Sequence, residues 1–129
     1  MHWYLTVLKK YAVIDGRAPR REYWMFTLFD TIFAILIFMI GTVIGSLLNG
    51  PDMLSGLGLG LLIFYLLVVL MPKLSVTVRR LHDTGRSALW LLVGLIPGIG
   101  PLILFVLLVL AGVPGENEYG PDPQAAPLA

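Results

Sequence analysis

The stretch VRRLHDTGRS, Val78 to Ser87, places Arg79, Arg80, His82, Asp83 and Arg86 side by side between two long apolar runs. A histidine next to an aspartate raises acid–base chemistry first, because histidine titrates near neutral pH. Adjacent helical residues project about 100° apart, however, so His82 and Asp83 do not form a same-face pair for a metal or a proton relay. A second stretch, GRAPRREYW from Gly16 to Trp24, brings Arg17, Arg20, Arg21 and Glu22. Arginines interleaved with carboxylates point to a different chemistry. Asp83 follows Arg79 by four residues and precedes Arg86 by three, and Glu22 neighbours the other arginines, so the carboxylates can orient guanidinium groups. The remaining N–H donors would then face outward, and the planar guanidinium fork suits phosphate.

The predicted lipid- or partner-binding set is therefore Arg17, Arg20, Arg21, Arg79, Arg80, His82 and Arg86, with Glu22, Asp30, Asp83 and Gly85 orienting it or serving structure. A purely structural reading stands beside this one. Gly85 suits a helix C-cap, Arg79, Arg80 and His82 complement the negative end of that helix, and Ser87 suits an N-cap for the next. On that reading the two basic stretches are a clasp between helices. Cysteine is absent, and no Ser-His-Asp signature or phosphate-cradling glycine loop after a strand is present. No catalytic, metal or cofactor-binding residues are assigned, and no cofactor is expected.

The elements that must position these residues are apolar helices. The chain has 129 residues, 57% of them hydrophobic and 13% charged, where soluble domains carry about 25% charged. The predicted fold is all-α: one integral membrane domain over 1–129, with three transmembrane helices at 19–48, 53–83 and 88–113. A short interfacial helix lies within 1–18, and a polar, irregular tail occupies 114–129. The first 23 residues carry charges and lead to no cleavable apolar segment, so the N-terminal segment is expected to be retained. About 20 apolar residues span a hydrocarbon core of about 30 Å, and Trp24–Leu48 is long enough, interrupted only by Asp30. An acid there is a functional candidate, although a position near the cytoplasmic interface, wetted or paired with an arginine, explains it as well.

Asn49–Asp52 reads as a turn. Pro72 is expected to kink the second helix and Lys73 to snorkel outward. The third run carries IPGIGP, Ile96 to Pro101, at its middle. As one helix, Ala88–Val113 would extend about 39 Å, so it is either a tilted, kinked span or a re-entrant hairpin. Lys9, Lys10, Arg17, Arg20 and Arg21 precede the first span and Arg79, Arg80 and Arg86 follow the second, whereas the 49–55 turn and the tail carry no Lys or Arg. Three crossings would place the basic segments and N-terminus in the cytoplasm and the C-terminus in the periplasm or outside. Because the basic residues follow membrane topology, nucleic acid is not an expected partner.

Gly41 and Gly45 end the first span, and Gly56 and Gly60 begin the second. Small residues let helix backbones approach where lipid removes the hydrophobic drive to associate, so these four are predicted to pack, within one chain or between copies.

With these motifs read, the chain resembles a family. GRAPRREYW, RRLHDTGRS at Arg79–Ser87, IPGIG at Ile96–Gly100 and NEYG at Asn117–Gly120 are similar, in that order, to the YhaH/YhaI-type bacterial inner-membrane proteins, domain of unknown function 805. The resemblance runs from about Ile14 to Pro121. It implies a multi-pass protein of the bacterial cytoplasmic membrane and brings no activity with it. Ala88-Leu89 stands where members often carry Gly-Trp, and Glu118 where a basic residue is common. The predicted role is a non-enzymatic scaffold or accessory protein whose arginine-rich face meets anionic lipid or a protein partner, as a possible homo-oligomer. A transporter or channel subunit using Asp30 and IPGIGP, and an enzyme on a membrane substrate using His82 and Asp83, are the alternatives.

Overall fold

A computed structural model describes residues 2–50 and 56–125. The described chain is helical throughout its ordered elements: α1 (His2–Lys9), α2 (Arg20–Asn49), α3 (Gly56–Asp83), a 3-10 helix (Ala88–Leu95) and α4 (Ile99–Val109). Both α2 and α3 are long and apolar enough to cross a bilayer. They form the main interface, and the basic stretches sit together at one end of it, termed here the basic end. The predicted turn after α2 falls largely outside the described residues, as do 53–55 of the second predicted helix and 126–129 of the tail.

At the far end the two backbones nearly touch. A Cβ added to Gly41 would lie 2.7 Å from the Gly58 Cα, and one added to Gly58 would lie 2.7 Å from the Phe38 carbonyl oxygen. The predicted glycine set is corrected here. Gly41 packs, but its partner is Gly58; Gly56 and Gly60 are exposed, with nothing within 4 Å of an added Cβ. At about 100° per residue, positions two away from Gly58 point to the opposite side of α3. Gly45 is buried.

Pro72 lies inside α3 and cannot donate to the Val68 carbonyl one turn earlier. The Tyr11 hydroxyl reaches that orphaned oxygen at 3.5 Å. The N-terminal segment continues along α3 from there. Lys10 O accepts from Ser75 Oγ at 3.2 Å, Val13 O from Arg79 Nε at 3.2 Å, and Ala18 N donates to Arg79 O at 2.9 Å. The expected N-terminal helix is present, and its buried residues Tyr4 and Val7 pack with Ala18, Phe26 and Val76. The Tyr4 ring lies 5.2 Å from Phe26 and 5.1 Å from Phe33.

The third apolar run settles between its two predicted forms. Pro97 excludes Ile96 from a helical conformation, and Ile96 is extended at φ −71°, ψ 118°. Gly98 then takes φ +80°, a left-handed turn open to glycine. The 3-10 helix and α4 fold back on each other, with Gly100 set so closely against the Val93 carbonyl that a Cβ would collide with it. Eleven residues of α4 extend only about 17 Å. The run is a helical hairpin, and its end returns to its beginning: Val113 N donates to Asp83 O at 2.8 Å. The described tail consequently lies at the basic end beside Arg17. Nor is the described tail irregular, since Asn117 and Gly120 exchange backbone hydrogen bonds of 3.1 Å in a closed turn.

Candidate functional site: a buried arginine clasp

Every residue from Ser75 to Thr84 is buried, although this stretch includes Arg79, Arg80, His82 and Asp83. The end of α3 is enclosed by residues 10–18, the start of α2, the end of α4 and the tail. Its geometry begins with how the helix stops. Gly85 at φ +77° lets Arg86 N donate to Leu81 O at 2.9 Å and Gly85 N to His82 O at 3.0 Å. These paired bonds form a Schellman closure, which turns the chain sharply into the hairpin. Ser87 occupies the N-cap position of the 3-10 helix without a side-chain capping bond.

Asp83 is the centre of the clasp. Its Oδ1 accepts from Arg17 Nε at 2.9 Å, and its Oδ2 accepts from Arg80 Nη1. The Gly112 backbone lies so close over this carboxylate that a Cβ there would sit 2.8 Å from Asp83 Cγ. Arg17 also donates to Gly115 O at 2.6 Å and to Val113 O at 2.5 Å. Arg80 donates to Leu108 O at 3.1 Å, Ala18 O at 3.3 Å and Leu110 O. Those oxygens at and just beyond the end of α4 have no intrahelical partner, and a cation there also meets the negative end of the helix. Arg79 turns the other way, to Glu22 Oε1 at 2.6 Å; its Nη2 is buried with no partner among the described residues.

His82 donates from Nδ1 to Gly16 O at 3.0 Å, which fixes the proton on that nitrogen because a carbonyl only accepts. Its ring stacks on Tyr119 with centroids 4.0 Å apart and planes 2° from parallel. Asn117 Nδ2 donates to His82 O at 3.0 Å, pinning the tail to the helix end. The tail turn is itself held by Asp122, which accepts from Gln124 N at 2.9 Å and Gly115 N at 3.0 Å. Those bonds, the one from Gln124 first, hold the Asp122 carboxyl below the usual carboxylate range.

The predicted site residues are thus divided. Arg17, Arg79, Arg80 and His82 are buried rather than facing outward as expected, and carboxylates and backbone carbonyls take most of their donors. Asp83 orients arginines, but Arg17 and Arg80 rather than Arg79, because the interhelical geometry points Arg79 at α2. Arg20 and Arg21 are exposed, and Arg86 is half-buried with its guanidinium 5.9 Å from the Trp90 ring centroid. Among the described residues Lys9, Lys10, Arg20, Arg21 and Arg86 have no carboxylate within ion-pair distance. Asn117, Tyr119 and Gly112 escaped sequence reasoning; the signal for the first two was the NEYG turn within an otherwise featureless tail.

Asp30 forms a separate network. It is 2% exposed and accepts from Lys73 Nζ and from the Tyr65 hydroxyl, both at 2.9 Å, while Tyr4 donates to Tyr65 at 3.3 Å. Its partner is therefore a lysine and not an arginine. Lys73 leaves its side chain 46% exposed, so its stem covers apolar surface while its charge is satisfied from within. Among the described residues no three His, Asp or Glu side chains are placed to hold a metal ion together. Asp83 has both oxygens engaged by guanidinium groups and His82 has Nδ1 engaged by a carbonyl, so neither is poised for proton transfer with the other.

Two long apolar helices, a shorter apolar hairpin and an internal arginine clasp define a small helical integral membrane protein. The chain belongs to the family described as "Protein of unknown function (DUF805)", whose model matches residues 11–121 and so takes in every clasp residue from Arg17 to Tyr119. It is 46% identical to Inner membrane protein YhaH of Escherichia coli (strain K12), over 98% of this chain and 100% of that one. It is 43% identical to Inner membrane protein YhaI of the same strain, over 96% and 97% of the two chains. Uncharacterized protein YiiR of that strain is 30% identical, over 93% and 92%. No solved structure matches this chain. With its relatives, the chain is an inner-membrane protein.

Proposed function

We propose that this protein is a non-enzymatic scaffold or accessory protein of the bacterial inner membrane whose basic rim meets anionic lipid headgroups on the cytoplasmic side. The observation that carries this reading is the sorting of its cations. Three arginines are enclosed with two carboxylates in a clasp, while Lys9, Lys10, Arg20, Arg21 and Arg86 stay at the surface of the same end without carboxylate partners among the described residues. Basic groups beside an anionic leaflet contribute about 1 kcal/mol each. The clasp keeps the fold intact and leaves the rim to the membrane.

Both termini then face the cytoplasm, and the hairpin enters and leaves the bilayer from that side. This sidedness is supported by the tail's bonds to Arg17 and His82 and by the gathering of basic residues at that end. A C-terminal reporter fusion active only in the periplasm would overturn it.

The lipid reading is tested by purification in nanodiscs of mixed phosphatidylcholine and phosphatidylglycerol, with retained lipid and protein identified by mass spectrometry. Phosphatidylglycerol is expected to be enriched around the protein. Joint replacement of Arg20, Arg21 and Arg86 by glutamine should remove that enrichment and leave thermal stability in place. Wild-type protein with no enrichment over bulk would sink the proposal, and an acidic protein retained in its place would replace lipid as the occupant.

A further inference from the structure

One part of the basic rim is a cleft. Trp3 from α1, Pro19 and Arg21 from the start of α2, and Pro123 and Gln124 from the tail line a space of about 380 Å³. The polar side chains around it are the guanidinium of Arg21 and the indole of Trp3, which only donate, and the amide of Gln124, which donates and accepts. Among the described residues no carboxylate lines it. The two acids adjacent in sequence are engaged elsewhere: Glu22 accepts from Arg79, and Asp122 has its two oxygens turned to the Gln124 and Gly115 amides. The remaining wall is the Trp3 ring and two prolines, apolar and stiff. Arg21 is exposed, with no carboxylate in ion-pair reach among the described residues.

We infer that this cleft binds the phosphate-bearing headgroup of one anionic phospholipid, with the phosphate on the Arg21 fork and the glycerol region against Trp3. Charge and depth both select this occupant. A donor-rich wall with one unpaired guanidinium is complementary to a phosphate diester, and arginine engages it through two parallel N–H bonds. The cleft also opens where a spanning helix begins, which is the headgroup level, and indole rings favour that level. A soluble phosphate has the same oxygens but no apolar portion for the Trp3 face.

This inference rests on the reading that the rim meets anionic lipid, and its test separates the two. The full chain is placed in phosphatidylcholine nanodiscs titrated with phosphatidylglycerol, and retained phosphatidylglycerol is counted by native mass spectrometry. Arg21→Gln is expected to lower its retention roughly tenfold, and Arg21→Lys, which keeps the charge and loses the fork, should fall between. Arg86→Gln neutralises a rim cation outside the cleft and should lower retention less than about threefold. Matched thermal stability of the three variants excludes unfolding as the cause. Equal losses for Arg21→Gln and Arg86→Gln would overturn the cleft and leave a diffuse basic rim. Wild-type protein indifferent to phosphatidylglycerol would overturn both readings. Displacement of the lipid by excess inorganic phosphate would reassign the cleft to a soluble anion.

Discussion

The two halves of α3 follow opposite rules. From Gly56 to Leu74 its apolar side chains are largely exposed, with Phe64 at 67% and Leu67 at 63%, and only Gly58, Val69 and Pro72 are buried. From Ser75 to Thr84 everything is hidden, and much of what is hidden is charged. In a soluble protein the first half would be an error and the second a liability. In a bilayer the first half gains nothing by leaving lipid, so helices hold together by close backbone approach where small residues allow it. The second half lies where charges meet the membrane boundary, and pairing them inside the protein replaces the water they lose. Proximity organises one end of the molecule and charge the other.

The contrast is broken most severely at Asp83. Asp83→Asn leaves Arg17 and Arg80 buried beside each other with one carboxylate fewer, and removing one partner of a buried pair costs about 3–5 kcal/mol. Thermal unfolding in nanodiscs should show a loss of that order. A double-mutant cycle is expected to show coupling between Arg17 and Asp83, and near-additivity between Arg79 and Asp83. Coupling only in the second pair would mean that the helix-local partner, not the cross-chain one, holds the clasp.

A smaller loss is expected at the far end. Gly58→Ala places a methyl group 2.7 Å from the Phe38 carbonyl oxygen and 2.9 Å from Thr42 N. Overpacking of this kind costs about 1–3 kcal/mol. Gly60→Ala, which meets open space, should be silent in the same unfolding assay. If both were silent, contact between α2 and α3 would not depend on glycine.

How much of this could be read beforehand follows from the same division. The spans were legible because length and apolarity are local properties, and Trp24–Leu48 needs no partner to declare itself. The gathering of the basic stretches at one end was legible from charge asymmetry. Which glycine of GLGLG faces α2 was not, since a helix must be rotated into place before Gly58 and Gly60 differ. Nor were the Arg17–Asp83 and Arg80–Asp83 pairs: helical spacing pointed Asp83 to Arg79 and Arg86, and says nothing of a residue 66 positions away. The hairpin was half legible, because IPGIG marks a break while the apolar run hides whether the chain continues or returns.

The mildest perturbation acts at the outer edge of the clasp and sharpens its boundary. Asp122 has a depressed folded pKa, so its contribution to tail order is present above the ordinary aspartate range and is lost as pH falls through the folded value. Amide protection factors at Gly115 and Gln124 should decline over that window while those of α3 hold. Asp122→Asn should lower them already at neutral pH and flatten the dependence. A parallel decline in α3 would show that the tail turn and the clasp open as one unit.

The reach of Arg17 also sets a schedule. Its partners Asp83, Val113 and Gly115 are 66, 96 and 98 residues later in the chain. During synthesis this arginine emerges well before them, and it remains without its full clasp until the chain has been made as far as Gly115. A chain stopped before Val113 can still insert α2 and α3, yet it displays an unclosed cluster of charges at the bilayer surface. Closure of the clasp is therefore tied to the synthesis of residues 113–115, and a chain truncated before them differs electrostatically from one that contains them in a way that a protease or chaperone recognising exposed chain can detect.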